Sequence, residues 1–166
     1  TVEVMRIEAA PLIDVAVSDH GELGARALWE PERLSELVLS QALPTRIGLS
    51  AVGGMLEPVG PRDPGGLHVR LNPRGRGGKG TRTVRAGVLP GVLATLRVEK
   101  VVRLAEGEAV SLGSRAGALA LDGEREIAIH EGEPWRVRLR GDGPWLVDVD
   151  RTLREAVRRN WLNGAG

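Results

Sequence analysis

The most regular alternation of apolar and polar residues lies between Gly117 and Leu139. Two alternating apolar segments, 119–121 and 127–129, flank an Asp122-Gly123 pair. Glycine readily adopts the positive φ that a tight turn requires, and aspartate tolerates it. The pattern therefore predicts a β-hairpin with Asp122-Gly123 at its tip.

A second turn, at 131–133, leads into a third strand pattern. Trp135, Val137 and Leu139 alternate with arginines, so one face of this strand points inward and the other toward water. We expect the three strands to belong to one antiparallel sheet.

Further short alternating segments occur on both sides of this region. They are separated by turns rich in Gly and Pro, such as Pro90-Gly91 and Glu106-Gly107. Many short strands with frequent turns indicate a sandwich or a closed barrel. We predict a mainly β fold, an antiparallel β-sandwich of many short strands with two peripheral helices. The strands predicted outside the hairpin region are 2–7, 14–17, 23–28, 67–71, 84–88, 92–96, 98–102 and 109–112.

Two segments have helical rather than strand periodicity. The first is 30–38, where Pro31 suits the first helical position and three apolar side chains share a face. The second is 150–161, where Asp150 can cap the helix start. We expect the second helix to pack on the core through one apolar stripe. That stripe consists of Leu153, Ala156, Val157 and Trp161.

Between these regions, residues 44–66 show no clean period and are crowded with Gly and Pro. Long ordered loops of this kind are often functional. Ser50, Gly53 and Gly54 indicate a turn with accessible backbone, where small residues allow a ligand or another strand to approach closely. Ser50 does not lie in a Gly-x-Ser-x-Gly elbow, so the segment does not indicate a serine hydrolase.

Composition excludes several classes of function. The 166 residues fit one domain, and the absence of cysteine excludes disulfides and thiol nucleophiles and fits a reducing cytoplasm. A net charge of +1, with four tryptophans as the only aromatic residues, argues against nucleic-acid binding. No apolar run approaches a membrane span, so we expect no membrane association. The three histidines lie far apart in sequence, and we assign no metal site.

Two motifs resemble a known family. Residues 47–58, Ile-Gly-Leu-Ser-Ala-Val-Gly-Gly-Met-Leu-Glu-Pro, resemble the tail of the Thr-Pro-Thr-Gly-Ser-Thr-Ala-Tyr-Ser-Leu-Ser-Ala-Gly-Gly segment of ATP-NAD kinases, with Pro44-Thr45 at its start. The Asp122-Gly123 hairpin and the turn at 131–133 resemble the Asp-Gly hairpin and following turn of that family. Their order and spacing agree. The similarity spans most of 12–150 and is closest to a divergent branch found beside acetoin-catabolism genes.

The resemblance implies that residues 1–166 form a single β-rich domain like the C-terminal domain of NAD kinases, within a longer two-domain protein. It implies that this domain contributes much of the binding surface for NAD, as substrate or ligand, in a homo-oligomer. The residues that it places at the dinucleotide are Thr45, Ser50, Ala51, Gly53, Gly54, Asp122 and Gly123.

Phosphoryl transfer needs parts that this sequence does not contain. The Gly-Gly-Asp-Gly motif and the Asn-Glu pair of the kinases are absent, and the Thr-Pro-Thr-Gly-Ser-Thr core is reduced to Leu-Pro-Thr-Arg-Ile at 43–47. ATP and magnesium would therefore bind only through an N-terminal domain, and we assign no catalytic residue. We expect the chain alone to be inactive. The sequence leaves two functions open: the acceptor-binding half of a kinase, or a non-catalytic nucleotide-sensing or oligomerisation module.

Overall fold

The structure, a computed structural model, describes residues 13–19, 21, 30–72, 82–113, 115–143 and 147–161. This part of the chain forms nine strands, two α-helices and one 3-10 turn at Pro31–Arg33. The helices are α1 (Leu49–Gly54) and α2 (Val149–Arg158). The strands are β1 (Asp14–Ser18), β2 (Leu34–Leu39), β3 (Gly66–Leu71), β4 (Arg82–Leu89), β5 (Val92–Leu104), β6 (Ala109–Ser111), β7 (Gly117–Leu121), β8 (Arg125–Ile129) and β9 (Arg136–Arg138).

The described strands form a large and a small antiparallel sheet. The large sheet has seven strands in the order β4-β5-β3-β2-β1-β7-β8, and the small sheet pairs β6 with β9. β1 is hydrogen-bonded to β2 on one side and to β7 on the other. The prediction of a mainly β, antiparallel sandwich with two helices is confirmed.

The large sheet is apolar on both faces. On β2, Leu37 and Leu39 point to one face and pack with residues of α1, which we call the α1 face. Val38 points to the other face and packs with apolar residues of β6 and β9, which we call the β6–β9 face. Because successive side chains of a strand alternate between faces, an inner strand of this sheet must be apolar on both sides.

Helix α1 packs so closely on the sheet that its two glycines have no room for a side chain. A Cβ on Gly53 would lie 2.3 Å from Leu39 Cδ1. A Cβ on Gly54 would lie 2.3 Å from the carbonyl carbon of Leu43 and from the nitrogen of Pro44. The segment that the sequence indicates as an open turn is thus a short, fully buried helix.

The helix predicted over 30–38 is wrong. After the 3-10 turn the chain continues as β2, in which Leu34, Leu37 and Leu39 are almost completely buried. Short apolar runs that are buried on both faces have no strict alternation, and spacings of three and four residues arise in them by chance. Burial within the folded sheet, and not the local spacing of apolar residues, therefore determines that residues 34–39 form a strand.

The hairpin at Asp122-Gly123 is confirmed, with φ values of 51° and 69° at its two central residues. The third predicted strand departs from the expectation, because β9 pairs with β6 in the small sheet rather than with β8. The two predicted strands 92–96 and 98–102 are one continuous strand, β5. The predicted strands 2–7 and 23–28 lie outside the described residues.

Helix α2 begins at a different cap and packs differently from the prediction. Asp148, not Asp150, caps it, since the Asp148 carboxylate accepts a hydrogen bond of 3.0 Å from the Arg151 backbone N–H. Of the predicted core stripe Ala156 is buried, whereas Leu153, Val157 and Trp161 are exposed. Neither helix in the described part of the chain is long and apolar enough to cross a membrane.

We expect Gly54→Ala to destabilise the domain by about 1–3 kcal/mol, because the new methyl group would overlap the backbone at 43–44. Alanine forms helices better than glycine by about 1 kcal/mol, so a mere helix-propensity effect would have the opposite sign. Gly87→Ala, where a Cβ meets nothing within 4 Å, is the control. Urea unfolding of both variants measures the difference, and a stabilised Gly54→Ala would contradict the packing described here.

Candidate functional site

The Asp122-Gly123 turn is fastened to the start of β1. Asp122 Oδ1 accepts hydrogen bonds from the backbone N–H groups of Ile13, at 2.8 Å, and Asp14, at 3.0 Å. The Asp122 N–H donates in return to the Asp14 carbonyl at 3.0 Å. Asp122 therefore fastens the turn to β1, a role that glycine, without a side chain, could not supply.

The start of β1 is also joined to the segment that leads into α1. The Ile13 carbonyl accepts hydrogen bonds from the Ser40 N–H, at 2.9 Å, and from Ser40 Oγ, at 3.3 Å. Ser50 Oγ donates to the Gln41 carbonyl at 3.0 Å and accepts from the Leu43 N–H at 3.2 Å. Asp122 and Ser50, far apart in sequence, thus lie at the same end of the large sheet.

Asp14 adds a second carboxyl group at this end. It pairs with Leu39, so both side chains lie on the α1 face, the face on which Leu39 packs against Gly53. Burial, and secondarily the negative charge of Asp122, raise the pKa of Asp14 to about 6. The site therefore contains a carboxyl group that changes its charge close to neutral pH.

The residues that the resemblance places at a dinucleotide differ in accessibility. Thr45 and Gly123 are exposed, and Asp122 is partly buried. Ala51, Gly53 and Gly54 are buried inside α1, and Ser50 uses its hydroxyl as both donor and acceptor within the protein. Asp14 and Asp122 are each only partly exposed, whereas Thr45, in the segment before α1, is exposed. Contact with a ligand stays a prediction for all seven residues.

Sequence reasoning missed Asp14 as a site residue. It appears in the sequence only as the polar residue that precedes an apolar strand. Its raised pKa depends on burial and on Asp122, whose turn lies more than a hundred positions further along the chain. No local pattern in the sequence indicates either cause of the raised pKa.

A second polar cluster lies on the β6–β9 face. His68 Nε2 and Glu36 Oε2 are 2.7 Å apart, and both side chains are about one-tenth exposed, at 10% and 9%. Glu36 Oε1 accepts a hydrogen bond of 2.7 Å from the Gly113 N–H, just after β6. One carboxylate therefore joins β2, β3 and the small sheet.

The charge of Glu36 is stabilised in this place. Burial alone would raise the pKa of Glu36, but hydrogen bonds from His68 and the Gly113 N–H, with the nearby charges of His68 and Arg70, outweigh burial and lower the pKa. Glu36 lies in the segment predicted as a helix and His68 in a predicted strand, so the sequence does not indicate the pair. No group of three or more His, Cys, Asp or Glu side chains in the described residues has an arrangement that would hold a metal ion.

We expect Asp14→Asn to stabilise the domain above pH 6 by about 1–2 kcal/mol. The folded-state pKa of Asp14 is raised from 3.8 to about 6, so folding is favoured by the protonated form, and stability is lost as the pH rises through this interval. The difference from the parent should vanish below the ordinary pKa of aspartate. Chemical unfolding across this pH range tests the prediction.

Asp142→Asn is the matched control for Asp14→Asn. The hydrogen bond from Arg140 lowers the pKa of Asp142, so removal of its exposed carboxylate should bring no gain in stability. An equal gain in both variants would show that general charge reduction, and not the site, is responsible.

Glu36→Gln should have the opposite pH dependence. Because the folded-state pKa of Glu36 is lowered, its contribution is present above the ordinary glutamate pKa and is lost as the pH falls through the folded-state value. We expect the variant to lose about 1–3 kcal/mol near pH 7 and to approach the parent in acid. The exposed Glu124→Gln is the control. A pH-independent difference for Glu36→Gln would contradict the assignment of a charged, bonded carboxylate.

Comparison with known proteins identifies the family. Residues 2–142 match the family described as the acetoin catabolism protein X C-terminal domain. Over 151 residues the chain is 37% identical to acetoin catabolism protein X of Cupriavidus necator, with 91% of this chain and 41% of that protein covered. The chain thus spans about two-fifths of the length of the relative, and no solved structure matches it. The chain belongs to the family of acetoin catabolism protein X C-terminal domains.

Proposed function

We propose that this domain binds the ribose-bearing part of a dinucleotide such as NAD, as the acceptor-binding half of an ATP-NAD kinase-like protein. The observation that carries the proposal is the position of Asp14 and Asp122. The Asp122 carboxylate bonds the backbone at the start of β1 and acts electrostatically on the Asp14 carboxyl group, and the Ile13 carbonyl beside them is bonded by Ser40, in the segment that leads into α1. Carboxylates are the groups that accept hydrogen bonds from ribose hydroxyls in dinucleotide sites.

The two carboxylates would have different roles. Asp122 Oδ1 accepts two backbone N–H groups, so this residue orients the turn and adds negative charge. Asp14, with its pKa raised to about 6, is ionised at neutral pH and is the better acceptor for a hydroxyl donor. A ligand hydroxyl would stabilise the charged form of Asp14, and binding should therefore be tighter above pH 6 than below it.

Phosphoryl transfer would require a metal-bound triphosphate in addition to a bound acceptor. The chain lacks the Gly-Gly-Asp-Gly motif, and in this proposal ATP and magnesium bind to another part of the longer protein. This domain would then select and orient the acceptor. The proposal places the protein in the cytoplasm. A chain without cysteine is compatible with this reducing compartment.

One observation favours a non-catalytic module instead. Packing alone accounts for Ser50, Gly53 and Gly54, since the glycines contact the sheet closely and the serine hydroxyl is fully used inside the protein. In that case the similarity of the segment to the kinases reflects a shared fold, and the domain has no acceptor site.

Calorimetric titration of NAD into the chain separates the two functions. We expect binding that Asp14→Asn weakens about tenfold, the effect of losing one hydrogen bond to a charged group. Asp122→Asn should weaken binding at a nearly unchanged melting temperature, because asparagine keeps the Oδ1 acceptor and the turn preference. Asp142→Asn, exposed and bonded to Arg140, is the control and should bind as the parent does.

Two results would contradict the proposal. Undetectable NAD binding would favour the non-catalytic module. Formation of NADP by the chain with ATP and magnesium would show that this domain alone carries the phosphoryl-transfer chemistry, contrary to the acceptor-binding role.

A further inference from the structure

A cleft of about 310 Å³ is lined by residues of the 3-10 turn, β2, β3, β4 and β5. This volume is at the lower end of the range of small-molecule sites. Leu34, the first residue of β2, lines the cleft, whereas Asp14 is paired with Leu39, the last residue of β2. At about 3.4 Å per residue, roughly 17 Å of strand separates these two positions. The cleft is therefore distinct from the dinucleotide site proposed above.

Part of the cleft is apolar and belongs to the interior of the protein. Leu34, Leu71 and Leu96 line this part, and each is at most 5% exposed. The three leucines come from β2, β3 and β5, and all of them also pack in the core on the α1 face. Because core packing fixes their positions, this part of the cleft is formed before a ligand arrives. A preformed wall reduces the entropy that is lost when a ligand binds.

The polar part of the cleft contains a row of residues that crosses three strands. The Asn72 N–H donates to the Arg97 carbonyl at 2.9 Å, and Arg97 is paired with Thr83 of β4. Directly opposed residues of antiparallel strands have neighbouring side chains. Thr95 precedes Arg97 by two positions and therefore lies on the same face of β5. The row thus brings together one guanidinium group, one amide and two hydroxyl groups.

Two opposite charges line the cleft without neutralising each other. Glu32 of the 3-10 turn and Arg97 are both exposed, and neither forms an ion pair with the other or with any further residue that the structure describes. Their neighbours differ in this respect, since Arg33 pairs with Glu30 at 3.0 Å. The cleft therefore presents a cation and an anion at separate places, and both are available to a ligand.

We propose that this cleft binds a small hydroxy acid, with the ligand carboxylate on Arg97 and the ligand hydroxyl groups on Thr83, Thr95 and Glu32. The planar guanidinium group has parallel N–H donors that match the two oxygens of a carboxylate. A hydroxyl group both donates and accepts, so it can bond to the threonine hydroxyls, to the Asn72 amide and to the Glu32 carboxylate. An ammonium group only donates and matches this set of side chains less well.

Glycerate, which has one carboxylate and two hydroxyl groups, is the probe for this site. We expect its addition to shift the backbone amide NMR signals around Arg97 and Thr83 with a Kd on the order of 1 mM, a modest affinity because the ligand has few atoms and the charges are exposed. Propionate, which lacks the hydroxyl groups, should bind about fivefold more weakly. Glycerol, which lacks the carboxylate, should cause no saturable shift.

Two substitutions test the assigned contacts. Arg97→Gln should weaken glycerate binding about tenfold, because the charged partner of the carboxylate is lost. Arg85→Gln is the matched control. It removes the same exposed group from the same face of the sheet, outside the cleft, and should bind as the parent does.

Glu32→Gln tests the contact with the ligand hydroxyl groups. It should reduce the preference for glycerate over propionate about threefold. Both ligands have the same charge, so the loss of repulsion from Glu32 cancels in this ratio. The amide spectrum of each variant verifies that the fold is retained.

Three outcomes would overturn the proposal. The absence of a saturable glycerate shift at about 20 mM, well above the expected Kd, would exclude a hydroxy-acid site. An equal loss of binding in Arg85→Gln and Arg97→Gln would show that glycerate responds to the general positive charge of the sheet face. Tighter binding of β-alanine than of glycerate would assign the cleft to a zwitterion, with the ammonium group on Glu32.

Discussion

The large sheet has apolar side chains on both faces, and this requires a cover on each side. Residues 42–59, closed into a loop by reciprocal hydrogen bonds between Ala42 and Val59, supply the cover on the α1 face. The small sheet supplies the cover on the β6–β9 face. On the β6–β9 face the Glu36–His68 pair helps to hold the small sheet in place. The Glu36 carboxylate contacts His68 and also accepts a hydrogen bond from the Gly113 N–H, just after β6. Loss of one partner would leave a buried charge uncompensated, which costs far more than an exposed pair would.

The position of the candidate site follows from the cover on the α1 face. Helix α1 can approach the sheet because Gly53 and Gly54 have no side chains, and its serine then bonds to the chain just after β2. The end of the sheet beyond this contact remains accessible, and Asp14 and Asp122 lie there. Partial burial, with the charge of Asp122, is what separates the pKa of Asp14 from that of an ordinary surface aspartate.

The elements that depend on local chemistry can be predicted from local patterns in the sequence. The Asp122-Gly123 hairpin needs two residues with positive φ, and the strands β3, β4, β7 and β8 alternate clearly enough to be recognised. β2 could not be recognised, since its burial on both faces removes the alternation, and the pairing of β9 with β6 depends on contacts distant in sequence. The Asp122-Gly123 turn and the Ser50 segment can each be predicted from a local pattern. Asp14 and the Glu36–His68 pair cannot, because their surroundings depend on contacts between residues distant in sequence. Family membership follows from comparison, whereas the resemblance to kinases supports only a proposal.

The placement of β1 between β2 and β7 has a consequence for the order of folding. The hydrogen bond from Ile13 to Asp122 joins residues 109 positions apart, so this edge of β1 has no partner until β7 (Gly117–Leu121) has been synthesised. Closing so long a loop costs conformational entropy before the contacts form, which slows folding of β-rich chains. During that interval the exposed backbone of β1 can pair with another nascent chain. Early pairing of β7 with β1 would therefore limit such association between nascent chains.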